Sequence, residues 1–447
     1  MGMKGHWLIT RRSFLKRAAG AAGAVAAFPT IVPSTVFGQN APNNRINIGL
    51  IGMGLMMGSH LNKSVRSDDT QVVAVCDVDR GRLEKAKNTV ESGYAKQKDS
   101  GSYKGCAAYH EFEQLLGRDD IDAVFIATPD HWHAPISVMA MRRGKDVYVQ
   151  KPMTLTIKEG RIMSDVAKQY GRILQVGSQQ RSERAFRKAV QIVRNGLIGK
   201  VHTIYTNLGE FPPPQTLPEE PIPDGFDYDR WLGPTPWYPY NRKRVEGNYG
   251  GGWRCFWDYG SRKNGDWGAH HFDIIQWALG MDDSGPVEFI PKGYEGTEYQ
   301  THIYADGAKV LRNHPVKNKQ MIQFVGEKGE VLVSRGDRLE TTPAELKETS
   351  FGPEEETLSD VPAGYKGVWV YVSNQHEENW IECVKTRKQP ICPAEIGHRT
   401  ATICHLSGIA ERLKRPIKWD PVKEEILGDP EASRWMDRPR RAPYIYI

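Results

Sequence analysis

Residues 46–60 read INIGLIGMGLMMGSH: an apolar run of strand character, a glycine-rich turn, then apolar residues at helical spacing. A strand, a tight glycine turn and a helix together aim backbone N–H groups and the positive end of the helix at a pyrophosphate. Gly52 and Gly54 take the first two places of GxGxxG, whereas the third holds Met57, with Gly58 one residue late. Met53, Leu55 and Met56 complete the turn and offer backbone donors to a bound dinucleotide. The next apolar run, QVVAVCD, ends in Asp77, 19 residues after Gly58. A carboxylate there can accept both ribose hydroxyls of NAD and would repel the 2′-phosphate of NADP.

Outward from this unit the strand-like runs DAVFIAT, DVYVQ and RILQVG alternate with helix-like segments such as HAPISVMAMRRG and TIKEGRIMSDVAKQYG. That alternation predicts an α/β class: an N-terminal Rossmann domain, a doubly wound parallel sheet, over residues 45–177. From residue 178 to 447 the pattern changes to a proline-rich tract, from Phe211 to Tyr240, and to alternating runs such as PVEFIPKG, QMIQFVG and GEVLVSRG. These predict a C-terminal α+β domain with an open, mainly antiparallel sheet. Two helical patterns near the end, NQHEENWIECVK and EIGHRTATICHLSGIAERL, have the option of packing back on the first domain.

Composition bounds the function. The 447 residues include 12 tryptophans and 18 tyrosines, which suit ring-lined pockets such as those that hold carbohydrate. Of the net charge of +6, five positive charges sit on Lys4, Arg11, Arg12, Lys16 and Arg17 in an acid-free N-terminus. The rest is nearly neutral, which gives no reason to expect a nucleic-acid partner. The N-terminal stretch RRSFLKRAAGAAGAVAAF has an apolar run too short for a membrane anchor and reads as an export signal over residues 1–38. Its two arginines resemble a Tat signal, which implies the twin-arginine export machinery as a partner, a folded passenger and a periplasmic or otherwise exported location. Six cysteines show no CxxC pair, and most are expected as buried free thiols. None of the 13 histidines belongs to an HExxH motif, so no metal is expected.

Two further stretches carry candidate chemistry. ATPDHWHA places Thr128, Pro129, His131 and His133 at the carboxyl edge of the third predicted strand, where open α/β sheets bind ligands. GDWGAHHFD, residues 265–273, continues into a helical pattern, so Asp266, His270, Asp273 and Trp277 share one face. His271 falls on a different, more apolar face and is expected to pack. His270 with Asp266 four residues before it then has the spacing of an acid/base and its orienting carboxylate.

The order and spacing of these motifs, with VQKPMT, GLIGKV and the closing GHRTATICHLSGIAERLKRPIKWDP, closely resemble the glucose-fructose oxidoreductase, inositol dehydrogenase and rhizopine-catabolism (Gfo/Idh/MocA) family over about Ile46 to Pro421. By that resemblance Lys151, in Gln150–Lys151–Pro152, stands at the family's EKP lysine and faces the nicotinamide as a proton relay; Gln150 replaces the glutamate. Asp266, Gly268, His270 and Asp273 match the family's DxGxHxxD, which implies catalytic roles for His270 and Asp266. GSQQR resembles a segment near nicotinamide and substrate and offers Gln179 and Arg181. WRCFWDYG resembles a cleft-lining segment and offers Trp253, Arg254 and Asp258, with Trp267 a further substrate contact. An oligomer, a dimer or tetramer, is implied by the open sheet that such proteins bury between subunits.

The resemblance implies an NAD-dependent oxidoreductase acting on a hydroxyl of a sugar or glycoside. Outside the cytoplasm no soluble NAD pool is expected, so a tightly bound cofactor and a closed redox cycle follow from the export signal. One alternative is a redox glycosidase, in which oxidation at C3 acidifies the C2 proton, the aglycone leaves by elimination, water adds and re-reduction returns the sugar. A second alternative is a non-catalytic carbohydrate-binding protein, a reading motivated by the departures at Met57 and Gln150.

Overall fold

The computed structural model describes residues 45–247, 251–314, 321–352, 365 and 367–446. The export-signal reading, on residues 1–38, therefore lies outside the described residues.

Six strands form one sheet in the order β3-β2-β1-β4-β5-β6: β1 (Ile46–Ile51), β2 (Thr70–Cys76), β3 (Ala107–Tyr109), β4 (Ala123–Ile126), β5 (Asp146–Val149) and β6 (Leu174–Val176). Every pairing in it is parallel. β4 and β5 are buried at every position, which is why they read as continuous apolar runs rather than as alternations. Five of the six strands coincide with the expected runs. β3 does not, because three residues are too few to show a period. The strand order reverses between β1 and β4, so the chain opens a crevice at their carboxyl ends.

The second sheet has nine strands in the order β13-β12-β11-β7-β10-β9-β8-β14-β15. They are β7 (Val201–Thr206), β8 (Glu288–Ile290), β9 (Gln300–Ile303), β10 (Lys309–Arg312), β11 (Met321–Gly326), β12 (Gly329–Ser334), β13 (Arg338–Thr342), β14 (Ile417–Asp420) and β15 (Glu425–Ile426). All its pairs are antiparallel except β7 with β10.

Among the described residues, eight helices of 11 or more residues flank the sheets: α1 (Leu55–Arg66), α2 (Arg80–Gly93), α3 (Asp130–Arg142), α4 (Ile157–Gln169), α5 (Arg184–Arg194), α6 (Gly268–Leu279), α7 (His376–Thr386) and α8 (Ala394–Leu413). The last two bind the halves together. α8 packs on both α4 and α6, and Trp380 of α7 is buried edge-on against Phe125 and Tyr148 of the parallel sheet. Local sequence fixes the approach to α4: Thr156 accepts from the Glu159 N–H, and the Glu159 carboxylate accepts from the Leu155 and Thr156 N–H groups. That capping box anchors the loop that carries Lys151. Among the described residues no helix is long and apolar enough to cross a membrane, and all six cysteines are free, five of them buried.

Candidate active site

A cleft of about 560 Å³ opens at the strand-order reversal. Its floor is the turn after β1. Gly52 has φ of +88°, and a side-chain carbon there would stand 2.9 Å from the Ala127 carbonyl and from Thr128, so only glycine fits. Gly54 precedes α1 with open space above it, which lets a ligand approach the backbone. Met57 is buried in the core beneath the turn, filling the third motif place with an adaptable side chain instead of a glycine. Asp77 directly follows β2 and knits the turn to it: its carboxylate accepts from the Met53 N–H at 2.5 Å and the Asp79 N–H at 2.8 Å. Burial raises its pKa, opposed by those two donors. This cradle, with its helix N-terminus and strand-end carboxylate, fits a dinucleotide.

At the other end of the cleft stands Lys151. Its ammonium donates to the Asp266 carboxylate at 2.5 Å and to the Asp266 carbonyl at 3.0 Å. Arg254 and Lys263 also reach that carboxylate, at 3.8 and 3.5 Å. Burial would raise the Asp266 pKa, but Lys151, Arg254 and Lys263 outweigh it and hold the group ionised. Asp130, the first residue of α3, lines the same cleft. Burial pushes its pKa up to about 8, with Arg254 and Lys151 pulling the other way. His270 is 4% exposed, and burial, then Lys151 and Arg335, hold it well below the usual imidazole range, so it is neutral at pH 7.

A family model for an oxidoreductase NAD-binding Rossmann fold matches residues 46–178, and one for an oxidoreductase C-terminal alpha/beta domain matches residues 204–446. The chain belongs to the Gfo/Idh/MocA oxidoreductase family. Among curated relatives it is 32% identical over 204 residues to a glycosyl hydrolase family 109 protein 2 from a Shewanella species, covering 43% of this chain and 44% of that protein. It is 30% identical over 208 residues to an alpha-N-acetylgalactosaminidase from Shewanella oneidensis, covering 43% and 44%. The aligned stretch thus spans less than half the length of these relatives. Among solved structures it is similar in fold to the WlbA dehydrogenase from Bordetella pertussis in complex with NADH and UDP-GlcNAcA, with 17% identity, TM-score 0.56, and coverage of 84% and 99%. It is likewise similar to a myo-inositol 2-dehydrogenase from Lactobacillus plantarum, with 19% identity, TM-score 0.52, and coverage of 84% and 99%.

In this Gfo/Idh/MocA chain the cleft wall contains Gly52, Met53, Gly54, Leu55, Met56, Asp77, Thr128, Pro129, His133, Gln150, Lys151, Trp253 and Arg254 among the expected residues. His133 serves as a brace: its ring nitrogens lie 2.8 Å from the Pro152 carbonyl and 2.9 Å from that of Thr128, tying the two loops that flank the site. Gln150 has a local rationale for replacing a glutamate. Its amide donates to His60 at 2.7 Å, and the far ring nitrogen of His60 lies 2.8 Å from Glu377, so a carboxylate already serves this histidine from the other side.

Other expectations are corrected. Three cations, Lys151, Arg254 and Lys263, engage the Asp266 carboxylate, which lies in the short helical turn Lys263–Asp266 that leads through Trp267 into α6. Neither Asp266 nor His270 is part of the cleft wall, although Lys151 links Asp266 to it. His131 does not face the cofactor cradle: it is fully buried and bonded at 2.8 Å to the Trp231 carbonyl. Gln179 donates to the Tyr148 hydroxyl at 3.2 Å. Arg181 is a core ion pair, 1% exposed, held by Asp273 at 2.7 Å and Asp282 at 2.6 Å. Asp258 lies outside the cleft wall and offsets the charge of buried Arg438 and of Arg412. Trp267 packs under Arg335 at 4.5 Å and against His271, which bonds Thr206 at 2.9 Å as a packed core group.

Sequence reasoning missed two features. Asp130 lay inside a quoted motif; the available signal was an acid at the first helical position on the sheet's carboxyl edge. The other is a strap, residues 225–247, that forms part of the cleft wall. Arg80 donates to the Gly225 carbonyl at 2.9 Å, Asp227 to that of Val78 at 3.0 Å, and Arg230 pairs with Glu113 at 2.8 Å. Phe226, Arg230, Trp231 and Val245 cover the site. Gly233, with φ of +53°, lets the strap touch Trp132 where a side-chain carbon would clash at 2.2 Å. The chain's last residues fasten it: Arg441 and Tyr444 bind Asp229 at 2.5 and 2.7 Å.

Proposed function

We propose that this protein is an NAD-dependent oxidoreductase acting on a hydroxyl of a sugar or glycoside, with the cofactor retained between turnovers. The observation that carries this reading is the placement of Lys151 at one end of a cleft whose other end is the Gly52–Asp77 cradle. When bound, the cofactor supplies hydride acceptance and return. The chain supplies the rest: Lys151 holds or moves the hydroxyl proton, Asp266 anchors that ammonium, and Trp253 and Trp231 give apolar walls. The strap supports retention, because Phe226, Arg230, Trp231 and Val245 add to the wall of the cleft. The twin-arginine segment supports export in the folded state, with the nucleotide already inside. An oligomer built through the open nine-stranded sheet completes the proposal, and light scattering of the purified protein would measure it.

A second reading, redox glycosidase, is favoured by Asp130. A carboxyl protonated near pH 7 in the cleft wall can give its proton to a departing aglycone, a need that a simple dehydrogenase does not have. The relatives named as glycosidases point the same way. Incubation with α- and β-glycosides in deuterated water separates the two. Deuterium at C2 of the released sugar establishes elimination, and NADH formation without cleavage establishes a dehydrogenase. Absence of both, with no nucleotide after acid extraction, removes the oxidoreductase reading.

A further inference from the structure

Three separate parts of the cleft wall meet one short segment, residues 441–446. Phe112, Trp132 and Arg230 all line the cleft, and they belong to the short helix Phe112–Leu116, to α3 and to the strap. None of residues 441–446 lines the cleft, yet their side chains reach all three. The Tyr446 ring lies 5.6 Å from that of Phe112 and 5.9 Å from that of Trp132, and the Tyr444 ring stands edge-on to Trp132 at 5.8 Å. The Trp132 indole in turn donates to the carbonyls of Arg230 and Trp231, each at 3.1 Å. The Tyr446 hydroxyl donates at 2.6 Å to Glu113, the carboxylate that holds Arg230 at 2.8 Å. Asp229 accepts from Tyr444 on one oxygen at 2.7 Å and from Arg441 on the other at 2.5 Å. Arg441 also donates to the carbonyls of Asp229, Gly233 and Thr235 at 2.9, 3.1 and 3.2 Å. An ion pair as exposed as that of Arg441 with Asp229 is worth little alone. Here it belongs to a network around Tyr444, which is 7% exposed, and the members of such a network support one another. At its other end the strap joins the cofactor cradle: Phe226 bridges to Asp79, and the Asp227 N–H donates to the Val78 carbonyl at 3.0 Å.

We propose that residues 441–446 form a latch that keeps Arg230 and Trp231 in the cleft wall and thereby sets how fast the dinucleotide leaves. Arg441, Tyr444 and Tyr446 are positioning residues, acting on the cofactor through Asp229, Glu113 and Trp132. The inference rests on the oxidoreductase reading for the identity of what is held, and it puts control of retention in a segment outside the cleft. Local opening costs less than global unfolding, so loss of a few bonds at the edge of the strap changes its opening and leaves the fold intact.

The test follows loss of resident nucleotide from the diluted holoprotein, by acid extraction of the protein fraction at timed intervals, beside amide hydrogen exchange. Arg441→Met combined with Tyr444→Phe removes the bonds to both Asp229 oxygens, and release should become about tenfold faster or more. Exchange of residues 225–235 should rise with it, while that of strands β4 and β5 stays at the parent's rate. Tyr446→Phe removes a single hydroxyl; it serves if the double variant fails to fold, with release about threefold faster. Release accelerated less than about threefold in every folded variant overturns the proposal. So does an equal rise of exchange throughout the protein, which would make residues 441–446 a general support of the fold. If the parent carries no nucleotide and takes up none, the oxidoreductase reading falls. The latch is then judged by exchange of residues 225–235, where parity between variant and parent overturns it.

Discussion

The cofactor turn and the GDWGAHHFD segment contain the same kinds of signal, small residues and acids at fixed spacing, yet only the first means what its spacing suggests. In the turn, Gly52, Met53 and Asp77 meet one another within one βαβ unit, the Met53–Asp77 contact spanning 24 positions. In the second segment the Asp266 carboxylate meets Lys151, 115 positions away. Asp273 likewise meets Arg181, 92 positions away. Spacing decides roles where a closed local unit exists, and charge decides them where distant cations arrive.

Four substitutions would break or sharpen that contrast. The largest effect is expected for Lys151→Met, which keeps the stem and removes both the ammonium proposed to carry the proton and the cation 2.5 Å from the Asp266 carboxylate. Turnover should fall by about 10²–10⁴-fold, read as single-turnover absorbance at 340 nm, with nucleotide content unchanged. An unchanged rate would return the acid/base role to His270. Arg181→Met leaves Asp273 buried with no cation and should cost about 3–5 kcal/mol in urea unfolding, showing that this arginine serves the fold. A small stability loss with a large rise in KM would instead restore it to the substrate. Gly52→Ala forces a side chain into φ of +88° against Ala127 and should cost about 1–3 kcal/mol, accompanied by lower nucleotide content. The last test concerns Asp130. Its folded pKa, about 8, lies above the unfolded value of 3.8, so the folded state holds this proton more tightly. The resulting stability is present below pH 4 and is lost as pH rises through 8. Asp130→Asn should therefore gain stability over the parent at pH 8.5 relative to pH 5, measured as urea midpoints. No pH dependence in that difference would mean that the carboxyl is ionised throughout.

Much of the fold was legible because its signals are local. Strands β1, β2, β4, β5 and β6 are buried apolar runs bounded by turns, and the capping box at Thr156 and Glu159 is visible as four letters. Strand β3 was hidden by its length. Asp130 was legible as a letter but not as a site, because its burial comes partly from Gly260, where a side-chain carbon would sit 3.3 Å from its carboxylate. Gln150 looked like a defect until His60 and Glu377 supplied its context.

By itself the sequence determined the Rossmann unit, the family and the cofactor turn, since each rests on short motifs whose geometry the backbone enforces, and the resemblance singled out Lys151. Only the tertiary structure decided which carboxylate that lysine keeps, that Arg181 and His131 belong to the scaffold, and that a strap fastened by Tyr444 covers the cleft. The reason is physical. Hydrogen-bonded backbone patterns are settled within a few residues, whereas burial and charge depend on whatever the rest of the chain packs against each group.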